Sequence, residues 1–177
     1  PSYHVQQMFG SNKGDVVLPT SLVALGQEET SGKQSIQGGI GLGTWATQVE
    51  YSDVRVAKGD DVLFEDHFKK DSGAWTLNNG DWEQSKGTFK QTSNDIDIRA
   101  VAGEASWSDY TLSLKAKKTG GAEGMLIMFG SKDEGNFYWW NLGGWGNTQS
   151  AIEKSVGGTR AVIGRTVPVR IVTGKLY

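Results

Sequence analysis

An all-β, antiparallel two-sheet sandwich is the fold class this sequence predicts, and three observations predict it. Its 177 residues hold 25 Gly but only 3 Pro, with 37% hydrophobic and 10% aromatic residues, a profile of many strands joined by tight turns rather than of helices. Short runs of alternating apolar and polar residues recur at close, even spacing with glycine-rich breaks between them. After the first dozen residues no segment has a helical period. Many short strands must each bury one face, and two packed sheets, a sandwich or jelly roll, satisfy them. The length suits one such domain preceded by a tail and would crowd a second full domain.

Residues 1–26 form the tail. Pro1-Ser2 starts a short helix with Tyr3, Val5, Met8 and Phe9 along one face, and Gly10 to Gly14 ends it. Asp15 to Leu18 is an extended run stopped by Pro19. A helix this short is marginal alone and needs a surface to dock on. His4, beside Tyr3 and Val5, reads as a bystander rather than a catalytic group. The sandwich occupies 27–177 and opens on a polar, small-residue loop or linker from Gln27 to Gln37.

Gly38 to Val56 reads as two strands, with a phase slip at Asp53 of the kind a bulge produces. Val62 to Phe68 is a further strand. Gly73 to Leu77 and Asp81 to Gln84 flank Asn79-Gly80, a hairpin cue. Gly87 to Gln91, Asp95 to Val101, Tyr110 to Lys117, Gly124 to Phe129 and Asn136 to Leu142 complete the strands. The cleanest alternation puts Tyr110, Leu112, Leu114 and Ala116 on the core side, with Thr111, Ser113, Lys115 and Lys117 opposite. Fully burying one of those leucines contributes roughly 1.5–3 kcal/mol, which opposes a one-residue slip.

Composition excludes several classes of function. A formal net charge of −2 supplies no basic field for nucleic acid. The absence of Cys excludes a disulfide, a thiolate nucleophile and cysteine-ligated zinc, and leaves the compartment open. No apolar run is long enough for a membrane-spanning helix, so no membrane insertion is expected. The chain begins without Met or a signal peptide and reads as a processed or excised piece of something longer.

The densest chemistry lies between Asn136 and Gln149, where three tryptophans, glycine hinges and four amides crowd together. Aromatic planes stack on sugar rings, and carboxamides exchange hydrogen bonds with hydroxyls, so the mixture suits a carbohydrate surface. In a strand, Phe137, Trp139 and Asn141 share one face and Tyr138 and Trp140 the other, so one set belongs to the core. The candidate platform is Tyr138, Trp139, Trp140 and Trp145, with Trp45 as a further possibility, and the competing reading of each is core packing. Trp145, between glycines, is placed on a loop. Asn141, Asn147, Gln149 and Arg160 are the candidate hydroxyl partners, against a competing role in steadying turns.

Catalysis is not expected from this chain. Sandwich glucanases carry their carboxylates at alternate positions of one strand, so that nucleophile and acid stand about 5–5.5 Å apart. The nearest match, Asp95-Ile96-Asp97-Ile98-Arg99, ends in a guanidinium that cannot protonate a leaving oxygen. An Asp97–Arg99 ion pair on an exposed face is the better reading. No cofactor is expected. Asp60-Asp61 and Glu65-Asp66 flank a strand start where sandwiches often hold structural calcium, but solvated acids are preferred to calcium there. Gly143-Gly144-Trp145-Gly146 lacks the Lys and helix of a phosphate loop.

Gly39-Ile40-Gly41-Leu42-Gly43-Thr44-Trp45 with Gln48-Val49-Glu50-Tyr51, then Trp107-Ser108-Asp109-Tyr110, resemble the concanavalin A-like, laminin-G-like jelly-roll module of bacterial family 51 glycoside hydrolases, the α-L-arabinofuranosidases. Pro1 to Phe9, with Asn12-Lys13-Gly14-Asp15, is similar to the end of that family's catalytic barrel. The resemblance spans nearly the whole chain. It implies a parent enzyme acting on arabinoxylan or arabinan, with catalytic glutamates upstream of Pro1, and a secreted, periplasmic or cell-surface setting. Related modules continue beyond the position of Tyr177, and Gly38 to Val56 resembles their closing strands, which suits either a fragment or a permuted order.

The expected function is thus a noncatalytic carbohydrate-binding module of an α-L-arabinofuranosidase, with a polysaccharide or oligosaccharide and the parent's catalytic domain as partners. The alternative is a structural accessory domain that packs on the barrel without binding glycan. Burial of Trp139, Trp140 and Trp145 together would favour the alternative.

Overall fold

The alternating runs become two hydrogen-bonded sheets in the computed structural model, which describes residues 16–19 and 35–177. The strands are β1 (Val16–Pro19), β2 (Gly39–Thr44), β3 (Thr47–Lys58), β4 (Asp61–Asp66), β5 (Thr76–Leu77), β6 (Trp82–Ser85) and β7 (Thr88–Gln91). They continue with β8 (Ile98–Ala102), β9 (Thr111–Gly121), β10 (Met125–Ser131), β11 (Phe137–Gly143), β12 (Gln149–Val156) and β13 (Thr159–Pro168). One sheet runs β1-β9-β3-β7-β6, with β4 beside the far end of β3; the other runs β13-β12-β11-β10-β2-β8-β5, and every pairing is antiparallel. The short helix expected from Pro1-Ser2 to Phe9, with His4, and most of the polar loop fall outside the described residues. Of the extended run expected from Asp15 to Leu18, Val16 onward is described and pairs along β9, and Pro19, expected to stop it, is the last residue of the strand.

Alternation explains the core. Ile40 and Leu42 of β2, Val49 and Tyr51 of β3, Leu112 and Ala116 of β9, and Met125, Ile127 and Phe129 of β10 meet between the sheets. Two buried hydroxyls fasten the layers: Tyr51 donates to the Gly43 carbonyl at 2.6 Å, and Tyr110 donates to Gly39 and accepts from the Gly130 amide. Burial pushes both phenols up, Tyr110 to about 12. The glycines of β2 face away from this core. A Cβ at Gly41 would press on Met128, and one at Gly43 would meet the Ile98 carbonyl at 2.7 Å, so a neighbouring side chain and the β8 backbone approach β2 too closely for larger residues there.

The phase slip at Asp53 is real. The β3–β9 register shifts between Ser52 and Arg55, and Asp53 has φ +50°. Its carboxylate receives His67 Nδ1 at 3.0 Å and Lys115 Nζ at 2.9 Å, which hold its pKa below the usual range. Such a carboxylate stabilises the fold at neutral pH, and its contribution disappears as pH falls through the lowered folded value. Asp53→Asn is expected to reduce Tm by about 1–3 °C near neutrality, because the pair is half exposed. Thermal scans should show the gap between variant and wild type closing as pH falls below the ordinary carboxylate range.

Three strand expectations need correction. Asn79-Gly80 is not a hairpin turn: β5 pairs with β8 in one sheet, while β6 pairs with β7 in the other. Gly80, at φ +81°, lies against the Ile98 side chain and carries the chain across the sandwich. The Asp95–Val101 strand begins only at Ile98, because Asp97 has φ +55°, so Asp95 and Asp97 do not line up on one strand face. β12 and β13 were not foreseen, although Gly157-Gly158, both at positive φ, joins them as a tight turn.

Candidate functional site

β11 divides its side chains as its alternation requires. Trp140 and Leu142 enter the core between the sheets, and Tyr138 packs against that core with its ring stacked on Phe129 at 5.6 Å. Trp140 is 6% exposed and offers no ring face to solvent. Phe137, Trp139 and Asn141 point to the outer face of the seven-stranded sheet. That face has an apolar layer of its own, in which Leu126, Met128, Phe137 and Trp139 pack with Trp45 and Val101.

Charged groups roof this second layer. The Arg160 guanidinium lies 4.8 Å from the ring centroids of both Trp45 and Trp139, and Arg99 lies 5.0 Å from that of Phe137. Asp97 ties the two cations together, 3.4 Å from Arg99 Nε and 3.2 Å from Arg160 Nη1. The Asp97–Arg99 pair expected from sequence therefore exists, but it belongs to a three-member cluster over aromatic rings. Trp139 is 2% exposed beneath it, and its indole N–H has no hydrogen-bond partner. Asn141, on the same face, donates to Glu153 at 2.9 Å. A groove of about 540 Å³ runs beside the roof, lined by Thr76, Leu77, Asn78, Arg99, Val101 and Lys132 among others.

Trp145 stands apart from this roofed layer. It lies in the Gly144–Asn147 turn between β11 and β12, is 42% exposed, and adopts φ 51°, ψ 55°. A bulky residue there costs on the order of 1–3 kcal/mol and persists only where its surroundings impose it. They do so at several points. Glu123 accepts from the Gly146 amide at 3.1 Å, and Thr148 Oγ1 donates to the Trp145 carbonyl at 2.8 Å. The Asn147 amide is used at both ends, donating to Ile171 O at 2.9 Å and accepting from Ile171 N at 2.7 Å.

Of the sequence candidates, the turn brings Trp145 and Asn147 together, with Asn147 bracing the turn. Gln149 opens β12, half-buried and paired with Pro168. Glu123 and Ile171 were missed because they reach the turn from 23 and 24 residues away, and no local pattern announces them. The groove residues were missed for the same reason, since β5, β8 and the loop after β10 meet only in the folded sheet. Asp66, taken as solvated, is 6% exposed; its carboxylate accepts from the Phe68 amide, Ser72 Oγ and Trp75 Nε1. Among the described residues no group of three or more His, Asp or Glu is placed to hold a metal ion.

No family model matches the chain, and no solved structure matches it. Over 99% of its length the chain is 44% identical to a segment of the extracellular exo-α-L-arabinofuranosidase of Streptomyces chartreusis, and that segment makes up 21% of the longer protein.

Proposed function

We propose that this chain is a noncatalytic carbohydrate-binding module of a secreted α-L-arabinofuranosidase, of the concanavalin A-like jelly-roll type, and that it holds arabinoxylan or arabinan for a catalytic domain elsewhere in the same enzyme. The observation that carries the reading is Trp145, an exposed indole at positive φ on a turn fixed by Glu123, Asn147 and Thr148. A pre-positioned flat apolar face can stack on a sugar ring without first paying to order a loop. Asn141 and Glu153, hydrogen-bonded to each other on β11 and β12, the strands that the turn joins, suit hydroxyl groups. The similarity to part of an arabinofuranosidase supports the choice of polysaccharide.

Burial of Trp139 and Trp140 favours the second reading, a structural domain that packs against a catalytic barrel without binding glycan. Gel retardation and calorimetry with arabinoxylan, arabinan and xylan separate the two. Trp145→Ala is expected to weaken binding by at least about tenfold, or 1.4 kcal/mol, with Tm nearly unchanged because the ring belongs to neither apolar cluster of the sandwich. A folded wild-type module with no affinity for any of the three would leave the structural reading.

A further inference from the structure

The net charge of −2 conceals a strong asymmetry. After Glu153 the chain has no acidic residue, but it has Lys154, Arg160, Arg165, Arg170 and Lys175. Arg160 is committed to Asp97 and the indoles, and Lys154 lies over the Tyr138 ring. Arg165, Arg170 and Lys175 are exposed and have no acidic partner among the described residues, although Lys175 Nζ lies 4.8 Å from the centroid of the Tyr177 ring.

The fold sets part of this basic stretch beside Trp145. Val169 N donates to Thr148 O at 3.2 Å, and Ile171 is bound in both directions to Asn147, so Arg170 sits on a segment zipped to the Trp145 turn. Gly174 N donates to Lys118 O at 2.8 Å, which brings Lys118 and Lys175 to the same edge. Burial, then the like charge of Arg170, disfavours the charged form of Lys118. Glu123 opposes that shift but already accepts from the Gly146 amide. Val172 and Leu176, 54% and 48% exposed, add apolar surface along this edge.

An indole next to unneutralised cations selects a ligand that is at once a sugar and an anion. We infer that the Trp145 site takes a uronic-acid-bearing polysaccharide, with a pyranose ring on the indole and the uronate carboxylate toward Arg170 and Lys175. Guanidinium–carboxylate hydrogen bonds are the stronger kind, and binding a carboxylate relieves the repulsion between Arg170 and Lys118. This deepens the reading of Trp145 as a sugar platform and rests on it.

The test uses two ligands that differ only in charge: a xylo-oligosaccharide bearing one glucuronic acid, and the same oligosaccharide after reduction of its carboxyl group. Calorimetry on wild type is expected to show the acidic ligand binding about tenfold more tightly, with the difference fading in high salt. Arg170→Gln combined with Lys175→Gln should abolish the preference while retaining the affinity for the reduced ligand. Lys58→Gln, an exposed charge change at the end of β3, should keep the preference. Equal affinities in wild type, or a preference that survives the double substitution, overturns the inference yet leaves the sugar platform standing if Trp145→Ala still weakens both ligands. Binding of neither ligand overturns both, and the basic edge then fits an acidic protein surface.

Discussion

Trp139→Ala is expected to lower the free energy of unfolding by about 3–5 kcal/mol, the range for removing a large buried aromatic side chain. The indole is 2% exposed on the outer face of the seven-stranded sheet, where it packs with Leu126, Met128 and Phe137 and supports Arg160. Its removal opens a cavity and takes away one of the two rings beneath the guanidinium. Chemical denaturation should record the loss as a lower midpoint with an unchanged slope. Trp145→Ala, the same substitution six residues on, should leave the midpoint nearly unchanged. A Trp139 variant as stable as wild type would mean that the outer layer contributes nothing to the fold.

Gln91→Leu is expected to cost about 3–4 kcal/mol although it adds no charge and changes little volume. Gln91 is fully buried at the end of β7 and joins three segments. Its Nε2 lies within hydrogen-bond reach of Thr44 Oγ1 at 2.6 Å, Ser93 O at 2.8 Å and Thr47 O at 2.9 Å, and its Oε1 accepts from Ser93 N at 2.6 Å. Leucine would leave these groups dry and unpaired, and each buried polar group so orphaned costs about 1–3 kcal/mol, partly recovered by relaxation. Thermal scans should show Tm lower by roughly 6–16 °C, at about 2–4 °C per kcal/mol for a domain of this size. Gln91→Glu, which keeps the shape but puts an oxygen where Nε2 donated to the Thr47 and Ser93 carbonyls and buries a charge, should be no better tolerated.

How much was legible in advance varies from strand to strand. The alternation of β9 identified its core side chains because the side-chain period of a strand is two, and no distant residue can alter it. The same rule split β11 into two faces. It did not reveal that the outward face is also covered, because the cover comes from Asp97 and Arg99 around the start of β8 and Arg160 on β13. Asn79-Gly80 misled because a turn that joins two strands of one sheet and a turn that crosses between sheets use the same residues. β13 escaped notice because it is an edge strand, mostly exposed, and an edge has no buried face to enforce alternation.

The sequence by itself determined the class of fold, the core side of β9 and the placing of Trp145 on a loop, since each follows from local period or from glycine on either side. Tertiary structure alone decided that Trp139 lies under an arginine roof, that Glu123 and Ile171 hold the Trp145 turn, and that Arg170 stands beside it. Those contacts join residues many positions apart, and which strands become neighbours depends on how the whole sheet buries its apolar faces together.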